Sequence, residues 1–130
     1  MTDRTMARER ALELLYEAEA KTLSVDDVLE ALPLAPDAYA VDVVTGVRDH
    51  ADAIDGLITR LAPDWPLERM AAVDRAVLRV GVYELSQRPD VPTAVVLDEA
   101  VELAKRFSTE ESGRFVNGVL AAAARELRPA

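Results

Sequence analysis

The chain has 130 residues, half of them hydrophobic but only 5% aromatic, and carries a formal net charge of −9. Its length suits one domain, residues 1–130, with an aliphatic core of Leu, Val and Ala. The absence of cysteine excludes disulfides, thiolate metal sites and cysteine nucleophiles together, and no apolar run approaches the roughly 18 residues a membrane span needs.

Residues 3–20 read as the first helix, with Leu12, Leu15 and Tyr16 on one face and Glu13 and Glu17 off it. Arg4 and Arg8 stand four apart near its start, where the helix dipole disfavours cations. They are either solvated or kept for an anionic ligand. Ser24 is placed to cap a short helix over 25–32, which Pro33 ends. After a turn, Asp37 is a candidate cap for a third helix. There Ala40, Val43, Val44, Val47, Ala51, Ile54, Leu57, Ile58 and Leu61 keep helical spacing without a break. Residues 62–66, with two prolines, end it, and 67–70 read as one short turn.

The stretch from Val73 to Leu85 organises the rest. Ala76, Val77, Leu78, Val80, Gly81, Val82, Tyr83 and Leu85 cover well over half of a helical wheel, whereas a surface helix needs an apolar stripe of only about 100°. This predicts a central helix with Asp74 as its N-cap, closed before Pro89. Only Asp74, Arg75, Arg79 and Glu84 remain to face water or a partner. A further helix over 93–107 follows, with Asp98, Glu102 and Arg106 spaced for surface ion pairing. The segment 108–112 carries a cap signal for a final helix with Phe115, Val116, Val119, Leu120, Ala123 and Leu127 on its apolar face. Nothing reads as a strand, and the expected fold is an all-α bundle of about seven helices.

Catalysis finds little to use. His50 is the only histidine and has no second ligand at i+3 or i+4, so the helical metal pair is absent. No serine sits in a Gly-x-Ser-x-Gly elbow, and the five glycines form no phosphate loop. We therefore expect neither an enzyme nor a cofactor or metal site.

Binding remains. The acidity is regional: residues 22–64 hold nine acids against Arg48 and Arg60, a net of −7. The flanking regions, 1–21 and 65–130, each stand at −1. Bulk charge therefore does not exclude a polyanion. Residues 104–118 combine Lys105, Arg106 and Arg114 with Phe107, Phe115 and Asn117 at a helix junction. Such a set offers charge for phosphates, rings for stacking and an amide for base edges of single-stranded RNA. The alternative is that both phenylalanines are core residues and the bases merely screen acids.

Several segments resemble one family. They are residues 8–16 (RERALELLY), 73–79 (VDRAVLR) with Tyr83-Glu-Leu85, Asp90-Val-Pro92, 98–105 (DEAVELAK) and 115–120 (FVNGVL). In this order and spacing the chain resembles the bacterial NusB transcription antitermination factors. The resemblance implies two packed helical subdomains in a cytoplasmic protein. It also implies binding to boxA RNA of nascent ribosomal-RNA transcripts, together with NusE, the small-subunit ribosomal protein, within an RNA polymerase antitermination complex. Carried over by position, the RNA surface involves Arg4, Arg8, Lys105, Phe107, Glu111, Arg114, Phe115 and Asn117. The partner surface draws on Tyr16, Asp74, Arg75, Arg79 and Glu84. Relatives often carry a denser arginine cluster before the first helix, and Gly and Asp where Ser108 and Glu111 stand here. The alternative reading is a helical interaction module or homodimer with little RNA affinity of its own. A methyltransferase-associated module of the same family needs a fused catalytic domain.

Overall fold

The computed structural model describes residues 3–129. Seven α-helices follow one another: α1 (Asp3–Lys21), α2 (Val25–Glu30), α3 (Ala38–Asp49), α4 (Ala51–Leu61), α5 (Ala72–Gln87), α6 (Thr93–Phe107) and α7 (Glu110–Leu127). One 3-10 turn, Leu67–Arg69, precedes α5, and no strand occurs among the described residues. None of these helices is long and apolar enough to cross a membrane.

Three of the expected starts are capped as the sequence reads. Ser24 accepts the Asp27 N–H at 3.0 Å, Asp37 the Tyr39 N–H at 2.8 Å, and Thr109 the Ser112 N–H at 3.0 Å. Each satisfies one of the donors that a helix start leaves open. Other expectations need correction. The third helix is two, because the backbone turns at His50 (φ −109, ψ 20), which closes α3 and opens α4. The apolar periodicity runs through the bend because both halves bury side chains into the same core: Val43, Val44 and Val47 before it, Ile54 and Ile58 after it. Asp74 is not the N-cap of α5. That helix starts at Ala72 behind Ala71, so Asp74 lies inside its first turn. Arg106 pairs not along its own helix but with Glu9 of α1, at 3.3 Å.

Helix α5 is central, as its wheel implies, and packs against α1, α3, α4, α6 and α7. Packing divides on either side of it: α1 with α2 and α3, and α6 with α7, while α4 reaches both α5 and α7. At Gly81 the absence of a side chain lets α7 approach, since a Cβ there would lie 2.6 Å from Leu120 Cδ1.

Arg128 ties the chain end to this centre. Its guanidinium donates to the carbonyls of Glu84, Leu85, Arg88 and Val91 and to the Thr93 hydroxyl, at 2.7–3.1 Å. The last carbonyls of α5 have no intrahelical donors, and a cation also suits the negative end of the dipole. One side chain thus closes α5 and shapes the connection to α6.

Candidate nucleic-acid interface

The α6–α7 junction is built by a sharp reversal. Ser108 (φ −134, ψ −113) ends α6, and Thr109 caps α7 one residue later. Lys105, Phe107, Glu111, Arg114 and Asn117 are exposed there, and Phe115 is half-buried. Lys105 lays its aliphatic stem across Gly113, where a Cβ would stand 2.9 Å from Lys105 Cγ. The stem is therefore held, and its ammonium reaches outward to 3.9 Å from Glu110. Phe107 keeps 43% of its surface exposed, and the Arg106 guanidinium lies over its ring at 4.9 Å.

The two phenylalanines face different hollows. Phe107 lines a groove of about 460 Å³ with Leu12, Tyr16 and Val73. Phe115 lines a cavity of about 260 Å³ with Trp65, Arg69, Asp74, Thr109 and Glu111. Trp65 meets Phe115 edge-on, with ring centroids 6.2 Å apart and planes at 66°. On its far side the same aromatic pair borders Pro63, Arg114 and Gly118. Val73 and Asp74, adjacent in the first turn of α5, stand between the two hollows.

Neither amino-terminal arginine belongs to this surface. Arg8 is 3% exposed and Glu84 1%. Arg8 Nε donates to both Glu84 oxygens at 3.0 Å, and its Nη1 donates to Glu99 at 3.0 Å. The Tyr39 hydroxyl donates to the same Glu84 carboxylate. Burial alone favours the neutral guanidine, but the hydrogen bonds and charge of Glu84 outweigh it, and the Arg8 pKa moves upward. A cation so enclosed is not offered to phosphate. Arg4 is exposed, but it bonds Asp90 at 3.2 Å and covers the Tyr39 ring at 4.4 Å. It shares a hollow with Val95 and Glu99, and α6 rises about 18 Å from Val95 to Phe107. The Asp90 carboxyl is held well below the usual carboxylate range, chiefly by its hydrogen bond to Arg88 and further by Arg4.

The central-helix candidates also divide. Asp74 is 9% exposed and Glu84 is fully enclosed, so neither faces outward as the wheel suggested. α7 covers Asp74 through Ser112, and α1 and α3 cover Glu84 through Arg8 and Tyr39. Arg75 and Arg79 are partly exposed and share Glu19 of α1, while Arg79 also grips Asp55 of α4 at 2.9 and 3.0 Å. Tyr16 is open to solvent beside this cluster and lines the groove with Phe107. Sequence reasoning missed Trp65 and Arg69. The available signal was a lone tryptophan in Pro63-Asp-Trp-Pro66, where the prolines bar a helix that would bury it.

The sequence profile of the NusB family matches residues 5–125. The chain belongs to the NusB family. The transcription antitermination protein NusB of Sorangium cellulosum (strain So ce56) is 51% identical over 126 residues, covering 92% of this chain and 90% of that one. Among solved structures, the NusB of T. maritima superposes with a TM-score of 0.87 at 37% identity, over 98% of this chain and 94% of that one. The antitermination factors NusB and NusE have been solved in complex with dsRNA. The matching chain of that complex has a TM-score of 0.77 at 29% identity, over 95% of this chain and 96% of its own length. The helical architecture described above is thus that of the NusB family along nearly the whole chain.

Proposed function

We propose that this chain binds boxA RNA of nascent ribosomal-RNA transcripts together with NusE, as a non-catalytic adaptor within an RNA polymerase antitermination complex. The observation that carries this reading is the α6–α7 junction. There Lys105, Arg114, Phe107 and Asn117 stand exposed around a half-buried Phe115 in a chain of otherwise acidic balance. Cations fix the phosphates, and rings stack on unpaired bases. Glu111, at the start of α7, supplies a carboxylate for base amino groups. A similar fold in a solved complex with NusE and RNA supports the same assignment. Arg4 and Arg8 act as structural residues: Arg8 pairs α1 with α5 and α6, and Arg4 pairs it with Asp90 in the connection between them. For the protein partner, Tyr16 with Arg75 and Arg79 forms the docking edge. Asp74 and Glu84, being buried, do not.

The experiment is a pair of substitutions at the junction. Phe107→Ala and Lys105→Ala should each weaken boxA RNA binding several-fold to tenfold or more by fluorescence anisotropy, a base stack being worth about 1–3 kcal/mol. Their melting temperatures should stay near that of the parent. Unchanged RNA affinity in both variants would remove the junction from the RNA site.

A further inference from the structure

The cavity beside Phe115 holds a carboxylate with unused capacity. Asp74 Oδ2 accepts from Ser112 Oγ at 2.9 Å, and that hydroxyl is fixed in turn by Thr109 Oγ1 and Ser108 Oγ, each 3.0 Å away. Asp74 Oδ1 is buried and has no hydrogen-bond partner among the described residues. Buried acceptors are nearly always paired, so an orphan beside a cavity of about 260 Å³ marks a place where a donor belongs. The walls are aromatic: Trp65, 55% exposed, and Phe115. Arg69 stands at this rim and Arg114 on the far side of the aromatic pair, and both are exposed.

We infer that this cavity is a nucleobase socket in which the exposed Trp65 ring stacks one base, Phe115 borders that base at its edge and Asp74 accepts a hydrogen bond from its exocyclic amine. The inference rests on the RNA-binding function proposed above and names one subsite of it. A flat, amino-bearing heterocycle matches each feature. The rings offer π-faces, the carboxylate oxygen accepts and does not donate, and the two arginines suit the flanking phosphates. Uracil fits worse, because its one N–H lies between two carbonyl oxygens that would face the carboxylate. The last torsion of Asp74 is soft, so a partial rotation opens the enclosed oxygen toward the cavity while the Ser112 hydroxyl follows the other.

Trp65 is the only tryptophan in the chain, so its fluorescence reports directly on stacking. The full chain is titrated with boxA RNA, following anisotropy of a terminal label and Trp65 emission together. The RNA is then remade with one amino-bearing base at a time replaced by its deamino analogue: inosine, purine riboside or pyrimidinone riboside. The expected result is quenching of Trp65 on binding. Replacement at one position should weaken binding about tenfold and restore emission, since one specific base contact is worth about 1–3 kcal/mol. Asp74→Ala, which removes the acceptor, should abolish that discrimination between the parent and deamino RNAs. Binding without quenching, or quenching with no position sensitive to deamination, would overturn the socket and leave RNA binding at the junction standing. A chain with no boxA affinity at all would overturn the proposed function and the socket with it. The deamino series on the unmodified chain decides the matter even where Asp74→Ala fails to fold.

Discussion

Arg8 and Glu84 show how one residue's chemistry is decided by its surroundings. On a helix start an arginine invites an anionic ligand, yet here the anion is internal: Glu84 from α5, with Glu99 from α6 beside it. Removing one partner leaves a buried charge without compensation, which costs about 3–5 kcal/mol. Arg8→Ala should therefore lower unfolding free energy by about that much in a urea titration, and Arg8→Met combined with Glu84→Leu and Tyr39→Phe, which removes the hydroxyl that Glu84 accepts from, should recover most of it. A triple variant as unstable as the single one would mean that the loss is one of packing rather than of charge. Tyr39 gives the same site a pH signature. Burial, then its hydrogen bond to Glu84, pushes its hydroxyl pKa upward, and burial and Asp42 push Tyr83 up to about 12. The folded chain keeps these protons where an unfolded tyrosine, with a pKa near about 10, releases them. The contribution is complete below about pH 10 and is lost as pH rises toward the folded values. Melting temperature should thus fall between about pH 10 and 12, and the fall should be shallower in Tyr39→Phe. Parallel curves would show that Tyr39 titrates alike in both states.

At the scale of elements, most helices were legible because their signals are local. Ser24, Asp37 and Thr109 cap where a hydroxyl or carboxylate precedes an apolar run, and proline bounds α5 from beyond its end. Two boundaries were not. The bend at His50 interrupts no hydrophobic period, because α3 and α4 bury their apolar sides into one continuous core. The start of α5 was misplaced because Asp74 has the chemistry of a cap, whereas its carboxylate is used across the bundle, on Ser112. The end of α1 carries a strain that the sequence does conceal. Leu23 N–H bonds the Ala18 carbonyl at 2.8 Å and Thr22 N–H the Glu19 carbonyl at 3.2 Å, a Schellman closure with Thr22 at φ 54. A β-branched residue in the left-handed region costs roughly 1–2 kcal/mol, only partly offset by the greater unfolded-state entropy of glycine. Thr22→Gly should stabilise the protein by about 0.5–1 kcal/mol in thermal unfolding. A destabilised variant would show that the threonine side chain makes a contact worth more than the strain.

For the whole molecule, the distribution of charge matters more than its sum. A net charge of −9 repels a polyanion at long range, while Arg69, Lys105 and Arg114 are exposed around the junction and its cavities. The fold class and this junction were readable because aliphatic periodicity and a basic-aromatic cluster are properties of short segments. The grouping of the remaining candidate residues was not. Which arginines are free depends on long-range pairs such as Arg8 with Glu84 and Arg79 with Asp55, and no spacing rule encodes those. Trp65 reaches Phe115 only through the packing of the α4–α5 connection on α7. The most direct test of the account is fluorescence anisotropy of boxA RNA and a scrambled control, with the chain alone and with NusE added, at several salt concentrations. Binding to boxA should be tighter than to the control, with a further gain when NusE is present. The salt slope should be shallow, about −2, as three cations on single-stranded phosphates give. Equal, weak and steeply salt-dependent binding to both RNAs, unchanged by NusE, would contradict it.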